Sequence, residues 1–134
     1  MTITRICPLD PLDPDPAVLE EAASALSGGG LVAFPTETFY GLGANALDSQ
    51  AVGRVFQVKG RPESKPLLVL VDSVKMAESL TPEVSDLARR LMATYWPGPL
   101  TLVFKAAPEL PAELTAGTGT VGIREEPDWL AVSI

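Results

Sequence analysis

A chain of 134 residues with 46% hydrophobic content is expected to fold as one domain, residues 1–134, with a real core. One cysteine, Cys7, and no histidine exclude an internal disulfide, a thiol-rich zinc site and any Ser-His or Cys-His mechanism, and suit a reducing, cytoplasmic setting. No apolar run approaches membrane-spanning length, the polar, Pro-rich start does not read as a signal peptide, and a net charge of −7 argues against a broad surface that grips nucleic acid.

Residues 1–14 read as a loose lead-in with a short strand at Ile3–Ile6. Asp15-Pro16 then starts a helix, Asp as N-cap and Pro at the first helical position. Val18, Leu19, Ala22, Ala23 and Leu26 share its inner face, and Gly28 stops it. Leu31–Phe34 is an apolar strand that Pro35 ends, since proline has no N–H to give a ladder. Thr36, Glu37, Thr38, Tyr40, Gly41 and Gly43 follow as a polar, Gly-containing loop of the kind on which α/β proteins build ligand sites. Asp48 caps a second helix with Val52, Val55 and Phe56 inward, and Gly60 ends it.

Leu67–Val71 is all apolar, as expected of a strand covered on both faces. A short helix is expected over Val74–Ser79. Thr81-Pro82 is expected to open a longer one, with the stripe Val84, Leu87, Ala88, Leu91, Met92 and Tyr95. Trp96-Pro97-Gly98-Pro99 breaks it. Leu100–Lys105 and Thr120–Arg124 read as strands joined by a Pro-rich loop. The alternation gives an α/β class, an open twisted mixed sheet with flanking helices and some antiparallel pairing.

Lys59 and Arg61 flank Gly60, and Lys65 follows. In an extended segment residues i and i+2 point the same way, so both cations of Lys59-Gly60-Arg61 can face one anion. The alternative is an ordinary helix end, where cations and a glycine are expected, just as Pro35–Thr38 can be an ordinary polar turn. Gly117–Gly122 matches a dinucleotide fingerprint letter for letter, but a Pro-rich loop precedes it and a β-like segment follows, so that reading fails. Glu125-Glu126 cannot form a shared dyad on a strand, because adjacent residues point apart. What remains is a site of Thr, Lys, Arg and backbone. It suits transfer at a nucleotide phosphorus, where cations offset charge on phosphoryl oxygens.

The stretches FPTETFYGLGANAL, KGRPESKPLLVLV, YWPGPLTLVF and GTGTVGIR, in that order, cover most of the chain from Gly29 to Arg124. Together they resemble the YrdC-like family of threonylcarbamoyl-AMP synthases. The resemblance implies a nucleotidyltransferase. L-Threonine and bicarbonate give N-carboxy-threonine, whose carboxylate attacks the α-phosphate of ATP and releases pyrophosphate. The product would serve threonylcarbamoyladenosine modification of tRNA through a downstream transferase complex. Mg²⁺ would travel with ATP, and no tightly bound cofactor or membrane partner is implied. By resemblance Thr36, Thr38, Tyr40 and Arg124 bind L-threonine, with Arg124 on its α-carboxylate, while Lys59, Arg61, Lys65 and Thr120 bind ATP. For Arg124 the alternative is a solvated strand end paired with Glu125 or Glu126.

The family continues past the VGIR strand into a helix and a Ser-x-Asn segment, whereas here EEPDWLAVSI follows Arg124. The expectation is a domain without the family's C-terminal portion, with part of the nucleotide pocket unbuilt and a core face exposed. Beside the enzyme stand two other readings: an RNA-binding module, since family members carry a concave basic surface, and a non-catalytic remnant.

Overall fold

The computed structural model describes residues 3–35, 39–60 and 65–126. In chain order they form α1 (Pro16–Ser27), β1 (Val32–Pro35), β2 (Tyr40–Gly43), α2 (Ser49–Lys59), β3 (Leu68–Val71), α3 (Val74–Glu78), α4 (Asp86–Tyr95), β4 (Leu102–Lys105), α5 (Ala112–Thr115) and β5 (Thr120–Glu125). This is the expected mixed α/β class with open sheets and flanking helices. Among the described residues no helix is long and apolar enough to cross a membrane.

The helix ends follow from local chemistry. Asp15 accepts the Ala17 N–H at 2.9 Å and starts α1. Asp48 accepts from Gln50 and Ala51 and starts α2. Gly60 ends α2 in the left-handed region, φ 61°. The longer helix starts later than expected. Thr81 makes a local turn instead, its hydroxyl donating to the Glu83 carbonyl at 3.0 Å and accepting the Glu83 N–H at 3.5 Å; Ser85 caps α4, accepting from Ala88 N–H at 3.1 Å. Its stripe is only partly covered: Met92 is buried, while Leu87 and Tyr95 are exposed. No strand forms at Ile3–Ile6, whose isoleucines are solvent-exposed. The loop before β5 contains α5, which the prolines did not foretell.

The strands divide into two sheets rather than one. β5 lies centrally in the order β3-β5-β4, parallel to β3 and antiparallel to β4. The segment Leu31–Phe34, expected in that sheet, instead contributes β1 to a separate hairpin with β2, where a loop was expected. Gly43 lets the Phe34 ring lie close against this hairpin. A Cβ there would lie 2.8 Å from Phe34 Cε1, so the ring rests diagonally across the strand on bare backbone.

One face of the three-stranded sheet carries the core. Val69, Val71, Val121, Ile123 and Phe104 meet Val52 and Phe56 of α2, Ala77 of α3, Met92 of α4 and Leu114 of α5. Trp96 closes the corner after α4. Its ring is buried and its Nε1–H donates to the Leu100 carbonyl at 2.8 Å. Gly98 N–H donates to the Glu125 carbonyl at 3.0 Å and ties this corner to the end of β5.

Candidate ligand-binding face

A strand alternates its side chains, so Thr120, Gly122 and Arg124 point away from the core, opposite Val121 and Ile123. The registry places Leu68 and Val103 beside Gly122, Leu70 beside Arg124, and Lys105 beside Thr120. Val103 is 69% exposed and Leu68 is 40% exposed, so helices do not cover this face among the described residues. Because Gly122 has no side chain, the floor is backbone. A shallow hollow of about 250 Å³ forms there, lined by Pro66, Leu67, Leu68, Thr101, Val103, Thr120 and Gly122. A larger hollow of about 440 Å³ lies between α4 and β4 and holds none of the expected site residues.

Thr120 and Arg124 stand at the two ends of this strip, about 13 Å apart along an extended strand. Thr120 is exposed and belongs to a hydroxyl network that the sequence did not reveal. Thr118 Oγ1 donates to the Thr115 carbonyl at 2.7 Å, accepts the Thr120 N–H at 3.2 Å and lies 3.0 Å from Thr120 Oγ1. The only sequence signal was the T-x-T spacing. Gly117 and Gly119, both at positive φ, shape the turn that makes this possible, and a strand follows them rather than a helix.

Arg124 stands at the strand end paired with Glu126, as the alternative reading expected, but it is not solvated. Its side chain is 23% exposed, and its Nε lies 3.1 Å from Oε1 of Glu126, whose side chain is 7% exposed. Nε is enclosed and the contact is off-line, so it makes no hydrogen bond. The pair therefore combines close Coulomb contact with substantial desolvation.

The other expected residues are less gathered. Lys65 is exposed and adjoins Pro66, which lines the hollow. Lys59 is the last residue of α2 and Gly60 is left-handed, so the expected extended Lys59–Arg61 geometry is not adopted at Lys59 and Gly60; the helix-end geometry is. Tyr40 begins β2, opposite Pro35, and is 78% exposed. Neither Lys59 nor Tyr40 shares a hydrogen bond or ion pair with the sheet face among the described residues. Thr36, Thr38 and Arg61 lie outside the described residues.

Two further charges are tuned. Lys105 Nζ lies 2.9 Å from Glu83 Oε1, and that hydrogen bond and charge raise the ammonium above its usual pKa. The Glu113 carboxyl is held below its usual range by hydrogen bonds from its own backbone N–H and from Ser49. Among the described residues no three His, Cys, Asp or Glu side chains group to hold a metal ion.

A mixed sheet with helices on one face and a Thr- and Arg-bearing strip on the other, which no helix covers among the described residues, is an α/β architecture. Residues 24–129 match the Sua5/YciO/YrdC family, described under the heading Telomere recombination, and the chain belongs to that family. It is 45% identical over 113 residues to the threonylcarbamoyl-AMP synthase of Pyrococcus abyssi, covering 84% of this chain and 33% of the relative. It is 40% identical over 126 residues to the threonylcarbamoyl-AMP synthase of Bacillus subtilis, covering 93% of this chain and 36% of the relative. The crystal structure of P. abyssi Sua5 complexed with L-threonine superposes with a TM-score of 0.86 at 42% identity, over 90% of this chain and 35% of that one. The chain thus spans about a third of the length of these relatives.

Proposed function

We propose that this chain carries the substrate face of an L-threonylcarbamoyladenylate synthase acting in tRNA threonylcarbamoyladenosine formation. The observation that carries the reading is the placement of Thr120, exposed, and Arg124, half-buried, on the face of the central strand opposite the core. The similarity to a structure complexed with L-threonine supports it. In this reading Arg124 takes the α-carboxylate of L-threonine, for which a guanidinium fork is suited. Thr36, Thr38 and Tyr40 hold the rest of the amino acid. Thr120 and Lys65, with Lys59 and Arg61, hold ATP.

The reaction then needs little from a side-chain base. The neutral amine of threonine and bicarbonate condense, with loss of water, to an N-carboxylate. That carboxylate is already anionic, so it attacks the α-phosphorus without further deprotonation. The bond from the α-phosphorus to the bridging oxygen breaks, and pyrophosphate departs with its Mg²⁺, which phosphate oxygens and water hold. The protein's contribution is alignment and cationic compensation. A span of about 13 Å between Arg124 and Thr120 leaves room for an extended threonyl-carboxylate aimed at a phosphate.

The test is pyrophosphate release from ATP, with threonine and bicarbonate omitted in turn. The expected result is release that requires both. Release that ignores threonine refutes the reading. An RNA-binding role gains no support from a chain of net charge −7.

A further inference from the structure

The buried carboxylate beside Arg124 has no task in the reaction as drawn. Glu126 is 6% exposed, and its Oε1 stands 3.1 Å from Arg124 Nε. Arg124 lies in β5 and Glu126 directly follows its last residue, and their 3.1 Å contact shows that the two side chains leave the chain on the same side. A guanidinium offers its five N–H donors along two kinds of edge: Nε with one Nη, or the two Nη atoms together. With Glu126 packed against the enclosed Nε, which makes no hydrogen bond, the first edge is closed to a ligand. The paired Nη edge is the one left for a ligand.

We propose that Glu126 is a positioning and specificity-determining residue for Arg124: it holds the Nε edge, offers the Nη edge to a monocarboxylate, and keeps phosphate groups off that position. This rests on the reading of Arg124 as the carboxylate site. The physical cause is the charge sum. Arg124 and Glu126 together are neutral, so a ligand is held by two directed hydrogen bonds rather than by net attraction. A singly charged carboxylate matches that fork. A phosphate with two negative charges meets the Glu126 carboxylate at short range and is repelled about twice as strongly. The α-carboxylate of threonine and the phosphates of ATP are both anionic groups that must be seated side by side in the proposed reaction, so ATP phosphates seated on Arg124 would block threonine. The neighbouring β3 adds no charge there, since Leu70 stands beside Arg124.

The experiment has three arms on the chain as it exists. Inorganic phosphate is titrated calorimetrically into wild type, Glu126→Gln and the double variant Glu126→Gln/Arg124→Lys. Glu126→Gln should bind phosphate about tenfold more tightly than wild type, and the double variant should lose much of that gain. Unchanged phosphate affinity in Glu126→Gln overturns the proposal. L-Threonine is titrated into wild type, Glu126→Gln and Glu126→Asp. The shorter Asp keeps the charge but shifts it, so it should still exclude phosphate while binding threonine more weakly, which a merely structural role would not separate.

The third arm reads Arg124 directly by arginine-selective NMR, its Nε–H assigned by its loss in Arg124→Lys. In wild type that proton should exchange with water about tenfold more slowly than those of the exposed Arg89 and Arg90. Equal exchange rates overturn the proposal, even if Glu126→Gln fails to fold. If wild type does not bind L-threonine, the ligand reading falls, and the phosphate and Nε–H arms still decide the role of Glu126.

Discussion

Replacing Gly98 by alanine tests how the corner after α4 supports the ligand face. A Cβ at Gly98 would lie 2.6 Å from the Tyr95 carbonyl oxygen, well inside contact distance. The obstacle is backbone, so no rotamer change relieves it. The corner must open, and two hydrogen bonds are at stake: Gly98 N–H to the Glu125 carbonyl, and Trp96 Nε1–H to the Leu100 carbonyl. At about 1 kcal/mol each, plus partial exposure of the Trp96 ring, the cost is about 2–4 kcal/mol. The control is Gly53→Ala in α2, where nothing lies within 4 Å of the added Cβ. There the same methyl should stabilise by about 0.5–1 kcal/mol, through helix propensity and a less free unfolded chain. Urea unfolding of the three proteins, at unchanged m-value, measures both shifts. By heat, Gly98→Ala should lower Tm by about 8–16 °C at roughly 4 °C per kcal/mol. A Gly98→Ala protein within 0.5 kcal/mol of wild type, or a destabilising Gly53→Ala, would refute the argument.

Arg61→Ala should weaken ATP·Mg²⁺ binding by about 1.5–3 kcal/mol and Lys59→Ala by less, read by calorimetry; equal affinities would leave the segment as a helix end only. Thr118→Val removes the hydroxyl that holds Thr115 and Thr120, so ATP affinity should fall while Thr118→Ser retains it, again by calorimetry. The stability–pH profile should respond to Lys105 and Glu113 at opposite ends. The folded Lys105 pKa is raised, so its contribution is complete below its unfolded pKa near 10.5 and fades as pH rises through the folded value; Lys105→Met should flatten that alkaline limb. The folded Glu113 pKa is lowered, so its contribution is present above the unfolded carboxylate pKa and fades as pH falls through the folded value; Glu113→Gln should flatten the acid limb in the same urea series.

Sequence reasoning reached features set within a few residues. The Asp15 and Asp48 caps and the Gly60 stop depend on a side chain and its own turn, so α1 and α2 have nearly the expected bounds. It failed where two local options competed or a distant partner decided. Both Thr81 and Ser85 are competent caps, and Thr81 makes a local turn with Glu83 instead. Tyr40–Gly43, rich in glycine, has little strand propensity of its own and is a strand because Val32–Pro35 pairs with it. For the site, Thr120 and Arg124 were reached through the family resemblance, and the strand's period-two alternation then puts them on one face. The 3.1 Å contact with Arg124 identifies Glu126 as the acid on the arginine's side.

The electrostatics of the strip then bear on where an anionic nucleotide can sit. Two cations on this face are already engaged, Arg124 by Glu126 and Lys105 by Glu83. Neither offers a bare charge to a triphosphate. Lys65 is exposed beside the hollow and Lys59 is exposed at the end of α2, each without an acidic partner among the described residues. In a chain of net charge −7, unpaired lysines are the places where a polyphosphate gains most. On the proposed reading the strip is therefore divided by pairing rather than by residue type. The neutralised Arg124 end suits a carboxylate held by geometry, and the Thr120–Lys65 end suits phosphates held by charge. Raising ionic strength should therefore weaken ATP binding steeply and L-threonine binding little, because screening acts on net charge and scarcely on a directed, partly buried fork. Calorimetry of each ligand across a salt series tests this. Equal salt slopes for the two ligands would mean that Arg124 acts as an open charge and that the division does not exist.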